Sequence, residues 1–282
     1  MARIKFLLAF FALLICAGGI GGAYFYWKKF AQPEMNVTRH IEGKSDVPKE
    51  KPDLGQRHFA AAADLLKAGE LLSARDRLLY LMKYFPESGT YGDAKRIVGE
   101  INLDLLISQI PLEGKAEHVV SRGEALVTIA RRSETTIDYI MRANAKTTAL
   151  IYPDEALTVF PLHYRVEIDL DKETVTLFDE SEFFKEYAIV DRHLPPGLSA
   201  PVSTSISEKV AWHDDRPINF TDENYLDCSK WVRTGKIGLF IRQADSDRSG
   251  DGSGPYGIMV AKSDIEELFT ILRVGSKVSL VN

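Results

Sequence analysis

Residues 119–161 read VVSRGEALVTIARRSETTIDYIMRANAKTTALIYPDEALTVFP, and the order of patterns inside them decides how the middle of the chain folds. His118-Val119-Val120 is a short β-prone run, and Arg122-Gly123-Glu124 is a turn signal. Ala125, Leu126, Ile129 and Ala130 then fall at helical spacing. Thr135-Thr136 offers a hydroxyl N-cap to a second helix that carries Ile137, Ile140 and Met141 and ends at Ala143-Asn144. Leu157-Thr158-Val159-Phe160-Pro161 returns to strand. The expectation is a compact strand–helix–helix–strand (βααβ) module over 116–162, small enough to hold only a modest core of its own.

Upstream, residues 56–110 carry helical periodicity in three pieces. Phe59, Ala62, Ala63 and Leu66 share a face that ends at Gly69, a C-cap residue. Leu72, Arg75, Leu78, Leu79 and Met82 mark a second helix, stopped at Phe85-Pro86 because proline cannot continue it. Tyr91, Ala94, Ile97, Val98, Ile101, Leu105 and Leu106 mark a third. The stretch from Ala62 to Pro86 resembles one tetratricopeptide-type helix pair. A single pair makes no solenoid, so the region reads as a spacer or packing platform.

Further upstream, residues 30–55 hold Pro33, Pro48 and Pro52 among polar and charged residues, the composition of a flexible linker. Residues 1–29 form the first segment. Arg3 and Lys5 precede an apolar run from Phe6 to Trp27, closed by Lys28 and Lys29, of about the length that spans a hydrocarbon core as a helix. Tyr24, Tyr26 and Trp27 sit where amphipathic rings favour the interface. An uncleaved transmembrane helix is the preferred reading. A cleavable signal peptide ending near Ala17-Gly18 and a lipoprotein signal at Cys16 are the alternatives, though Ile15 is a poor lipobox neighbour. All three export the remainder of the chain.

Composition narrows the partners. With 35 Lys+Arg against 40 Asp+Glu the formal net charge is −5, and no basic stripe with interleaved aromatics is present, which argues against nucleic acid. The two cysteines, Cys16 and Cys228, form no CxxC pair, and the six histidines are scattered singly, so no metal site and no cofactor are expected.

The stretch from Val119 to Pro161 resembles the LysM family along its length, at Val120, Gly123, Leu126, Ile129, Ala130, Thr136, Ile140, Asn144, Ile151, Pro153, Leu157 and Pro161. It departs from the family at Glu124-Ala125 and at Asp154. The resemblance implies binding of N-acetylglucosamine-containing glycan in a shallow groove between the two strand–helix loops. Carried onto this chain, those loops supply Gly123, Glu124, Ala125 and Leu126 on one side and Ile151, Tyr152, Pro153 and Asp154 on the other. Backbone amides and carbonyls would meet acetamido groups while Leu126, Ile151 and Tyr152 offer apolar contact.

After His163 the period changes to two. Val166, Ile168 and Leu170 alternate, then Val175 and Leu177, then a strand from Phe183 to Val190, so residues 163–282 read as a β-rich domain. The opening hairpin, together with a close in which Asp264, Ile265, Leu268 and Phe269 form a helix and Val274 to Val278 begins the last strand, resembles L,D-transpeptidases of the YkuD type. That resemblance implies a cysteine nucleophile, an upstream activating histidine and an arginine that positions substrate. Aligned on Pro255 to Val260, Ile258 stands at the nucleophile and Val260 at the arginine, and the upstream strand Ile237 to Gln243 has no histidine. Cys228, far from that segment, reads as a bystander thiol. Residues 245–254 (DSDRSGDGSG) fit only the first half of an EF-hand loop and read as a solvated loop.

The sequence therefore describes a multidomain α+β chain: a transmembrane helix, a helical tetratricopeptide-like spacer, a LysM-like module and a β-rich, YkuD-like domain without its catalytic set. The expected function is peptidoglycan binding by a non-catalytic scaffold. Its expected location is the bacterial cytoplasmic membrane, crossed once, with the bulk of the chain in the periplasm and room for an envelope protein partner. The alternatives are an L,D-transpeptidase using an unforeseen nucleophile and a sensor of wall state.

Overall fold

The computed structural model describes residues 53–244 and 255–282, so the expectations for residues 1–52 and for the loop at 245–254 lie outside the described residues. No helix among the described residues is long and apolar enough to cross a membrane. Residues from Asp53 to Asn282 form one compact unit.

Three helices open it: α1 (Leu54–Lys67), α2 (Leu71–Tyr84) and α3 (Tyr91–Ile107). Asp53 caps α1, its carboxylate accepting from the Gly55 and Gln56 amides. The same carboxylate takes hydrogen bonds from Ser88 Oγ (2.9 Å) and the Gly89 amide (3.1 Å), which ties the start of α1 to the α2–α3 turn. Gly69, at φ +80°, ends α1 in a Schellman arrangement: its amide donates to Leu66 O and that of Glu70 to Leu65 O, both at 3.0 Å. The buried stripe of α2 is Ala74, Leu78 and Leu81, whereas Leu72, expected on the apolar face, is exposed.

Next comes the βααβ module. Strand β1 (Ala116–Val119) pairs antiparallel with β2 (Ala156–Val159), and α4 (Leu126–Arg132) and α5 (Ile137–Ala143) lie between them in sequence. Thr136 caps α5 through its hydroxyl, which accepts from the Tyr139 amide, and Asn144 ends it, as the sequence suggests. Val120, Leu126, Ile129, Ala130, Ile140, Met141, Leu157 and Val159 make the module's own small core.

The rest is a ten-stranded mixed sheet with one helix. Its strands are β3 (Tyr164–Asp169), β4 (Thr174–Asp179), β5 (Glu182–Ala188), β6 (Asp191–His193), β7 (Val202–His213), β8 (Arg216–Ile218), β9 (Ser229–Thr234), β10 (Phe240–Gln243), β11 (Gly257–Val260) and β12 (Lys277–Val281). They run in the order β5-β4-β3-β12-β7-β9-β10-β11-β6, with β8 on β7. The β3–β12 and β10–β11 pairs are parallel and the others antiparallel. Helix α6 (Lys262–Ile271) follows β11 and buries Ile265, Leu268 and Phe269. Several boundaries differ from the sequence reading: Asp53 to Gly55, expected in the linker, are the N-cap and start of α1, because the Asp53 carboxylate satisfies the first amides of the helix. Ile237 is exposed in a turn at Gly238 (φ +78°), so β10 starts only at Phe240. Val274 also sits in a turn, closed by the Ser276 amide donating to Arg273 O at 3.0 Å, and the last strand starts at Lys277.

One large core joins these parts. Leu103 and Leu106 of α3, Tyr139 and Ala143 of α5, and Phe160 and Leu162 share a buried cluster with Val166, Ile168, Ile241, Ile258, Leu268 and Leu280 of the sheet and α6. Helix α3 thus feeds two cores, since its Ala94, Val98, Ile101 and Leu105 pack on α1 and α2. Polar bonds follow the same seams. Tyr139 Oη donates to Leu106 O at 3.1 Å, and Asn102 Nδ2 donates to Phe184 O at 2.8 Å.

Candidate functional site

The two loops singled out by the sequence lie side by side at one end of the β1–β2 ladder. The Val120 amide donates to Glu155 O, and the Asp154 amide donates to Val120 O, both at 2.9 Å. Val120 leads directly into the first loop and Glu155 closes the second, so the ladder itself holds them adjacent.

Each loop is a four-residue turn. In the first, the Glu124 amide donates to Ser121 O (3.1 Å) and the Ser121 amide donates back to Glu124 Oε2 (3.0 Å). Gly123 sits at φ +79°, in the left-handed region that glycine tolerates best. In the second, the Glu155 amide donates to Tyr152 O (3.2 Å) and the Tyr152 amide donates to Glu155 Oε2 (3.0 Å). Asp154 holds the matching position at φ +66°. A base braces each carboxylate: Arg132 reaches Glu124 Oε1 at 2.5 Å and Lys146 reaches Glu155 Oε1 at 2.6 Å. His118 Nε2 also lies 2.9 Å from Glu124 Oε2.

These contacts shape the electrostatics. The Ser121 amide first, then His118 and Arg132, pull the Glu124 carboxyl down to about 2. Lys146 holds the Glu155 carboxyl below the usual carboxylate range, with the Tyr152 amide helping. Both are acceptors already in use.

The eight expected groove residues separate into surface, clamp and core. Gly123, Ala125, Tyr152, Pro153 and Asp154 are exposed, Tyr152 at 60%. Glu124 turns its carboxylate back onto its own loop. Ile151 is half-buried against the module core. Leu126 is only 3% exposed and belongs to that core, which removes it from the surface as an apolar contact. In its place Val127 and Leu150 are exposed, at 54% and 58%. The residues that the sequence reading passed over are Glu155, Lys146, Arg132 and His118. The available signal was the repeated spacing of a glutamate three residues after the first residue of each turn.

The second region examined by sequence lies on β11. Side chains alternate along a strand, and parallel partners in register face the same side. Ile258 pairs with Ile241 and both are fully buried, as is Val260. The aligned positions therefore face the core beneath α6. The opposite face of β11 presents Gly257 and Met259, beside Arg242 and Phe240. Arg242 is buried, stacks 5.5 Å from the Trp231 ring centroid and donates to Pro255 O at 3.1 Å. A histidine does neighbour this segment, but from β6: His193 pairs with Gly257, and its ring centroid is 4.7 Å from that of Tyr256. Nothing in the sequence separation pointed to it.

Neither face of Gly257–Val260 carries a nucleophile. Gly257 is held at φ +149°, and a Cβ built there would meet Phe240 O at 3.1 Å. Cys228 is buried, with Sγ donating to Tyr225 O at 3.1 Å, and burial raises its pKa against the pull of Lys230. A thiol so placed is neither ionised nor reachable. Among the described residues no group of three or more His, Cys, Asp or Glu side chains could hold a metal ion.

No family model matches the sequence, and no curated protein matches it. Solved structures do match. An L,D-transpeptidase from Stackebrandtia nassauensis is 16% identical with a TM-score of 0.32, covering 43% of this chain and 56% of that one. An Enterococcus faecium L,D-transpeptidase is 17% identical with a TM-score of 0.30, covering 42% and 49%. Mycobacterium tuberculosis L,D-transpeptidase 1 is 14% identical with a TM-score of 0.30, covering 46% and 68%. The chain spans about half the length of the first two.

Proposed function

We propose that this chain is a membrane-anchored, non-catalytic peptidoglycan-binding protein of the bacterial envelope, gripping N-acetylated glycan through the two turns at the tip of its βααβ module. The observation that carries this reading is the pair of internally braced turns held together at the end of the β1–β2 ladder, with Gly123 exposed on one and Tyr152 on the other. An exposed aromatic ring offers a flat apolar face to a sugar, and turn amides offer donors to an acetamido carbonyl. The LysM-like sequence between Val119 and Pro161 supports the same ligand. A shallow site of this kind binds weakly, and tethering to a membrane beside a polymeric ligand supplies avidity. The apolar run from Phe6 to Trp27 is the proposed tether, with the module on its periplasmic side.

A scaffold role rests on the chemistry of β11. No side chain of Gly257–Val260 can attack a peptide carbonyl, and Cys228 is sealed in the core. The exposed rings of Tyr80 and Tyr84 on α2 are the proposed contact for an envelope protein partner.

Two assays on full-length protein test the reading. Co-sedimentation with purified sacculi is expected to pull the protein down. Incubation with muropeptides, followed by mass spectrometry, is expected to give no new cross-links. New cross-links would replace the scaffold with an L,D-transpeptidase.

A further inference from the structure

We propose that Glu124 and Glu155 are paired positioning residues, which hold the two groove turns in the shape that accepts glycan without touching the glycan themselves. The inference rests on the glycan-binding reading above.

The two turns share almost no sequence: Ser-Arg-Gly-Glu in one, Tyr-Pro-Asp-Glu in the other, with only the final glutamate in common. Their geometry nevertheless coincides. In both, the fourth amide closes on the first carbonyl, and the third residue has positive φ (+79° and +66°). In both, the glutamate folds back to accept from the first amide at 3.0 Å. Unrelated sequences reach one conformation here through one shared device.

The device consumes the carboxylates. Glu124 Oε2 takes the Ser121 amide and His118, and Oε1 takes Arg132. Glu155 Oε2 takes the Tyr152 amide, and Oε1 takes Lys146. Every carboxylate oxygen of the pair therefore has a partner before any sugar arrives. By contrast, the Arg122 and Gly123 amides donate to nothing among the described residues, so they remain for a ligand.

An exposed turn without such a brace samples several shapes, and a ligand that needs one of them binds with an affinity reduced by the fraction populated. A shallow groove has few contacts with which to offset that loss, so bracing the turns beforehand matters more here than in a deep pocket.

The test measures binding isotherms of full-length protein on purified sacculi, with far-UV circular dichroism as the check on folding. Glu155→Ala and Glu124→Ala are each expected to weaken binding about tenfold, the worth of one hydrogen bond to a charged group. The decisive pair is Gln against Asp at Glu155. Gln keeps the reach and an acceptor oxygen without the charge, and is expected to bind within about threefold of wild type, well short of the tenfold loss. At Glu155, Asp keeps the charge but shortens the reach by one methylene, and is expected to behave like Ala. The Gln–Asp pair carries the test should Ala unfold the module. The opposite ranking, Asp active and Gln inactive, would mean that the charge itself contacts ligand and would overturn the proposal. So would wild-type binding by the Ala or Asp variants. Failure of the wild-type protein to bind sacculi overturns the glycan reading, and this inference with it.

Discussion

Tyr225 donates its phenolic hydrogen to Asp138 Oδ1 at 3.0 Å, joining the short 3-10 turn before β9 to the helix α5 of the βααβ module. Lys209 and Lys230, on β7 and β9, bring their ammonium groups to 3.6 and 3.7 Å of the same carboxylate. Glu266 of α6 balances Lys230 at 2.6 Å. Burial pushes the Lys209 ammonium below the usual lysine range, with Asp138 opposing that effect. The module is thus fastened to the sheet by a buried charge cluster as well as by apolar packing.

Removing the central carboxylate leaves buried ammonium groups underbalanced. Asp138→Ala is expected to lower the unfolding free energy by about 3 kcal/mol, within the range for breaking a buried pair. Urea unfolding checks it, followed at once by helix circular dichroism and by the fluorescence of Trp212 and Trp231 in the sheet. The two probes are expected to coincide, because one core serves module and sheet. A module transition well before the sheet's would contradict this.

Gly257 offers a second check. Gly257→Cys installs a thiol on the face of β11 away from Ile258, but φ is +149° and the new Cβ meets Phe240 O at 3.1 Å. The expected outcome is a stability loss of about 1–3 kcal/mol, the cost of a residue held in a sparsely populated backbone region. Thermal unfolding reads that loss, and muropeptide assays are expected to show no transpeptidation. A stable, active variant would mean that the backbone is not committed against a nucleophile.

The Glu124 brace fixes a pH window. Its carboxyl is depressed from 4.5 to about 2 in the folded chain, so its contribution is complete above about 4.5 and disappears as pH falls through about 2. With respect to this group, sacculus binding is expected to be flat from pH 8 to 5 and to fall by no more than about threefold in strong acid, because the protonated carboxyl keeps its reach and an acceptor oxygen as Gln does. Glu124→Gln is expected to lose that acid limb. His118 and Arg132 face the same carboxylate. A wild-type acid limb starting well above pH 5 would contradict the assignment to Glu124.

Tyr152 is the exposed ring of the second turn. Tyr152→Ala is expected to weaken sacculus binding about tenfold, in the range of a lost aromatic contact, with the melting temperature unchanged because the ring packs on little. Gly123→Arg adds a strained φ in the other turn, and the double variant is expected to abolish sedimentation.

The elements that the sequence showed well are those governed by local rules. Thr136 caps α5 and Gly69 ends α1 because capping depends on residues a few positions away. The alternation at Val166 and Ile168 marked a strand because sheet faces have period two. Long-range packing was not legible. Leu126 passed for a surface contact, although helical spacing with Ile129 and Ala130 equally marks a core residue, and the module core takes it. His193 reached Gly257 only through strand order, which no local pattern encodes. The brace at Glu155 was half-legible: its spacing from Tyr152 was there to read, but its meaning appears only beside Glu124.

Glycan strands stripped of their stem peptides give the most direct measurement. Full-length protein should co-sediment with this peptide-free material as well as with intact sacculi, and soluble N-acetylated oligosaccharide should release it. Binding that vanishes with the peptides, or that ignores the competing sugar, would contradict recognition of glycan by the two turns.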